Sequence, residues 1–242
     1  IASPLLAGWL LVAFGPRVAF GATGAIAALA AAPFFWTPDV AVRWRAAGVL
    51  SAAVPGVLLF MCDAWIAVGL WVVWQLALFV TLGESFIAYG GALAFAAFVG
   101  AVGSLTVGRH IDAGGGRQAV WLALGTVALI VVLRADAIGH PAFAVIANAL
   151  GSLAGCLYIP TLMTPVYTMA KRSPCALRFH VATEGGWDIG GAAALLTAAL
   201  VTASGAALSA AVLQSLAGVA ALLFLLRRQY AHGGAAKAGG ET

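Results

Sequence analysis

Residues 107–118 read VGRHIDAGGGRQ, and this stretch sets two arginines, a histidine, an aspartate and four glycines within twelve positions. On either side, residues 85–106 and 119–133 contain no Asp, Glu, Lys or Arg. A short polar break between two long apolar runs is the pattern of a turn joining two membrane-crossing helices. The rest of the chain can be measured from that turn.

The 242 residues are 63% hydrophobic and only 8% charged, with a mean hydropathy of +1.05. A soluble domain carries roughly 25% charged residues. So few charges cannot solvate a globular surface, so the fold class is an all-α polytopic membrane protein. The net charge of +4 comes from basic residues grouped in short loops, a topological pattern that excludes a nucleic-acid partner. Cys62, Cys156 and Cys175 are widely spaced and form no CxxC pair, so no disulfide framework or metal site is expected.

A span needs about 20 apolar residues. That length places a partial helix at 1–14 and seven full ones at 18–36, 55–81, 85–107, 118–135, 140–168, 179–203 and 205–226. Residues 46–54 read as an interfacial helix or an early start of the span at Pro55, and residues 227–242 as a polar tail. With the 107–118 turn on the cytoplasmic side, that side collects Arg43, Arg45, Arg109, Arg117, Lys171, Arg172, Arg178, Arg227, Arg228 and Lys237. Only Arg17 and Arg134 fall on the other side. The asymmetry follows the positive-inside rule and places the C-terminus in the cytoplasm, the expected membrane being a bacterial inner (plasma) membrane.

Gly108, Asp112, Gly115 and Arg117 fit the pattern Gly-x-x-x-Asp-x-x-Gly-x-Arg. The pattern resembles the cytoplasmic loop signature of the major facilitator superfamily, which recurs between spans 2 and 3 and between spans 8 and 9. Four spans follow it here, as expected for the second copy, so the chain is expected to lack about four N-terminal spans. Residues 1–14 would then belong to span 5, where SPLLAG at 3–8 resembles the family's antiporter signature through Pro4 and Gly8. The resemblance implies a helical bundle in four parts. Residues 1–37 would end an N-terminal six-helix half, 38–54 would be a cytoplasmic linker, 55–226 the C-terminal six-helix half, and 227–242 a cytoplasmic tail. It also implies alternating access around a midplane site, a conformation-gating role for the Asp112–Arg117 turn, and a chain that works as a monomer once complete.

Three carboxylates lie inside spans, each at a cost of roughly 2.5–3.5 kcal/mol near a helix centre. These are Asp63, Glu184 and Asp188. His180, Glu184 and Asp188 follow an i, i+4, i+8 spacing along one helix face, with Asp188 roughly 14 Å inside the span at about 1.5 Å per residue. Clustered carboxylates in an apolar medium suit proton exchange, so these four residues are the candidates for proton coupling, Asp188 foremost. Spans 7 and 10 line the cavity in the family, which makes Trp71, Trp74, Gln75, Asn148 and Tyr158 candidate substrate contacts. Pro160 and Pro165 are expected to kink their span.

The expected function is secondary transport of a small organic solute, with proton-coupled export as the leading form and a metabolite symporter or uniporter as the alternative. The partners are the solute, protons and the lipid bilayer, with no cofactor. A membrane enzyme using His180, Glu184 and Asp188 is disfavoured because no HExxH motif or nucleophile–base pair is present, and no P-loop supports ATP-driven pumping.

Overall fold

The computed structural model describes residues 2–38, 46–111 and 116–238, the side chains of 106–117 and 231–238 excepted. All regular structure among the described residues is helical. Seven stretches are long and apolar enough to cross a membrane: 2–36, 49–81, 86–105, 118–136, 141–172, 176–203 and 208–230. The chain is an integral membrane protein by this measure.

The first stretch is not one straight rod. Helix α1 (Ala2–Leu29) is broken at Gly15, whose φ of 78° and ψ of 173° lie outside the helical region. Pro16 follows, unable to donate a backbone N–H, so the break falls where two adjacent residues both disfavour a continued helix. The break falls between the partial span and the first full span drawn from sequence. Before it, Gly8 packs against α4 (Phe86–Ile111). A Cβ on Gly8 would come within 2.6 Å of the Phe86 carbonyl oxygen, and one on Gly90 within 2.6 Å of the Pro4 carbonyl oxygen. Small residues on both helices are thus what allow the two backbones to meet.

The second stretch begins at Val49 and not at Pro55. Helix α2 (Val49–Ala67) takes Pro55 inside it, and residue 53 is already fully buried. A π-helical segment (Val68–Val73) then widens the backbone before α3 (Trp74–Thr81) completes the crossing. The interfacial alternative for 46–54 therefore gives way to an early start of the span.

The densest packing joins α2 to α7 (Ala176–Ala203). Gly186 and Gly190, one turn apart, face α2 so closely that added Cβ atoms would overlap the backbones of Val57 and Met61. In return Gly56 lies under Thr183 and Phe179. Lipid is as apolar as the side chains, so close van der Waals contact of this kind is what holds two helices together in a bilayer.

Helices α5 (Gly116–Asp136) and α6 (Pro141–Arg172) complete one flank. The last stretch is broken at Gln214 into α8 (Leu208–Leu213) and α9 (Ser215–Ala238). Helix α6 runs unbroken through Pro160 and Pro165. Pro165 cannot donate to the Thr161 carbonyl four residues earlier, and the Tyr230 hydroxyl donates to that carbonyl at 3.1 Å instead. The turns after α3 and α7 share a second device. Gly83 and Gly205 take positive φ, and paired bonds return to the previous turn, Glu84 N–H to Phe79 O and Ala206 N–H to Val201 O.

Candidate functional site

A cavity of about 1220 Å³ opens between α2, the π-helical segment, α4, α5 and α6, with Pro4 of α1 and Trp187 of α7 on its wall. Most of its lining is aliphatic, so the few polar groups define its chemistry. Its charged and amide side chains fall into three places, apart from Ser104, Ser152 and Cys156 on the α4–α6 wall.

The first is Asp63, on the wall contributed by α2. The Tyr158 hydroxyl of α6 donates to its carboxylate, and the Trp187 indole lies beside it. The second is Gln75, whose side-chain oxygen accepts from the Tyr89 hydroxyl at 3.0 Å, next to Trp71 on the wall. The third is a knot around Asn148. Its Oδ1 accepts from the Trp74 indole N–H at 3.0 Å and from Arg134 Nη2 at 3.5 Å. Its amide donates to the Ala92 carbonyl at 3.4 Å.

Arg134 itself is 7% exposed. Its Nη1 donates to the Leu70 carbonyl at 2.9 Å, and its guanidinium lies 5.1 Å from the centre of the Trp74 ring. Leu70 sits in the π-helical segment, whose widened turn displaces carbonyls from ordinary helical pairing. The guanidinium takes up one of them. Gly151 makes room: a Cβ there would overlap Nη2.

The sequence candidates separate accordingly. Asp63, Trp71, Gln75, Asn148 and Tyr158 come together on the cavity wall. Trp74 does not line it, being fully buried behind Asn148 and Arg134. Glu184 and Asp188 are exposed and His180 is half-buried, its ring edge against Tyr167 and Phe179. None of the three lines the cavity. The reason is angular. Gly186 and Gly190 turn one face of α7 to α2, and residues two positions away point about 200° round the helix. Of the gating-loop residues, Asp112 and Gly115 lie outside the described residues, as does the Arg117 side chain, while Gly108 lies in the last turn of α4. Pro4 and Gly8 form the α1–α4 contact, with Pro4 reaching the cavity wall.

Arg134 was not among the sequence candidates, because it was counted only as one of two basic residues on the outer side. Its position two residues before the end of α5, inside a predicted span, was the available signal. An arginine within span limits calls for a partner in the bundle.

No family model, no curated protein and no solved structure matches this chain.

Proposed function

We propose that the chain is part of a secondary transporter of the major facilitator type, moving a small organic solute by alternating access with proton antiport as the energy source. The observation that carries this reading is the cavity itself: a large space, open on one side, among helices long and apolar enough to cross a membrane, with a carboxyl group on its wall. Asp63 takes the coupling role here in preference to Asp188, because it faces the space a solute would occupy. A carboxyl in that position exchanges its proton with whichever side the cavity opens to, and solute and proton then compete for one chamber. Tyr158 holds the carboxylate in place and offers a hydroxyl through which the competition is felt. The cytoplasmic placement of the 107–118 turn and of the C-terminus belongs to the same proposal. Labelling native Cys175 from the cytoplasmic face only, and a cysteine placed at Asp136 from outside only, would support it.

The deciding experiment uses the full-length protein in liposomes and compares counterflow with accumulation driven by an imposed pH gradient. Asp63→Asn removes the titrating group while keeping its size. Uphill accumulation should be lost and counterflow retained. Unchanged gradient-driven accumulation in this variant would remove Asp63 from the coupling mechanism, and absence of both activities in the wild type would remove transport.

A further inference from the structure

We infer that the transported solute carries a carboxylate, and that Arg134 is the residue that receives it; this rests on the transporter reading and names its substrate class. A guanidinium stays protonated under all ordinary conditions, so burying one demands a counter-charge or a full set of acceptors. Arg134 has neither. Among the described residues no carboxylate forms an ion pair with it, and its Nε–H, enclosed on the Gly151 side, has no acceptor. Nη1 is committed to Leu70 O, while Nη2 has only the long contact to Asn148. Nη2 is therefore the group left for another acceptor where Arg134 meets the cavity, and a carboxylate oxygen fits it with a charge-assisted bond.

The nearby acids are poorly placed to serve. Asp136 stands two positions along the same helix, about 200° round it. Asp63 lies seven residues from Leu70 along the α2 rod, about 10 Å away at about 1.5 Å per residue. A bound molecule can reach the arginine where Asp63 cannot. The charge count also narrows the class. One guanidinium balances one negative charge, so a phosphate dianion would leave excess charge against aliphatic walls, whereas a monocarboxylate with an apolar body would not. Trp74 beneath the guanidinium and Trp71 on the wall add aromatic surface near that end.

The test measures binding to the full-length protein in detergent by tryptophan emission, with two isosteric probes, cyclohexanecarboxylate and the neutral cyclohexanecarboxamide. Wild-type protein should bind the carboxylate with saturation and the carboxamide about 30-fold more weakly, the scale of a lost buried charge pair. Arg134→Gln should erase that preference. Arg134 also holds Leu70, so this variant can fail to fold for that reason alone. Two measurements guard against it: the wild-type preference needs no variant, and Gly151→Ala should reduce the preference by displacing the guanidinium. Equal binding of the two probes by the wild type would overturn the inference, as would a preference that survives in folded Arg134→Gln. A response to sodium chloride with none to the carboxylate would assign the guanidinium to an inorganic ion and overturn it too. Transport with no preference for carboxylates would sink the inference while leaving transport standing. Carboxylate binding by a protein inactive in counterflow would do the reverse.

Discussion

Two pairs of polar residues sit inside spans, and packing has given them opposite surroundings. Asp63 and Tyr158 come from different helices and meet on the wall of a cavity. Glu184 and Asp188 share one helix and lie on its exposed face. In the sequence the second pair looks the stronger, because two acids at i, i+4 with His180 one turn before them form a visible pattern. The first pair is separated by 95 positions and forms no pattern at all. A local motif records which residues share a helix face. It does not record which way that face turns, and in α7 the turn is set by glycine.

The comparison breaks most completely if the glycine face is removed. Gly190→Leu forces a side chain into the Met61 backbone, and overpacking of this sort costs about 1–3 kcal/mol or more. It should separate α7 from α2 and sharply lower the thermal unfolding midpoint in detergent. A midpoint within experimental error of wild type would mean that the α2–α7 contact is not close-packed. Next in size, Asp63→Asn should abolish pH-driven accumulation in liposomes, as argued above, with the midpoint nearly unchanged.

Tyr158→Phe sharpens the contrast further. It removes one hydroxyl donor to a charged acceptor, worth about 1.5–3 kcal/mol, and should weaken transport by roughly tenfold or more on that scale. Activity equal to wild type would show that the carboxylate does not need this donor. The smallest effect belongs to Asp188→Asn. Standing outside the cavity, it should alter gradient-driven accumulation by less than about twofold, within the usual range for substitutions away from buried features. Loss of accumulation in this variant would return the coupling role to α7 and reverse the comparison.

Much of this architecture was legible in the residues. Long apolar runs separated by short polar turns locate the seven stretches able to cross, although the first, 2–36, was drawn from sequence as a partial span and a full one. The break at Gly15-Pro16 was marked by the two residues least able to continue a helix. The start of the second crossing was not marked, because Pro55 looks like a beginning although a proline is tolerated within the membrane helix itself. The cavity was half legible. Asn148, Gln75 and Tyr158 were reached through the family resemblance, which points to the spans that carry them, whereas Arg134 was hidden by its nearness to a turn, where a basic residue has an ordinary topological explanation.

The sequence by itself determined that this protein is built of helices able to cross a membrane and roughly where each one runs, because both follow from the cost of placing polar backbone and charge in hydrocarbon. Only the tertiary structure decided which polar side chains share a space. That depends on the rotation of each helix about its axis, set by close contacts such as Gly8 with Phe86 and Gly190 with Met61. Such contacts join residues far apart in the chain. Their energy comes from the fit of two surfaces, and neither surface alone encodes it.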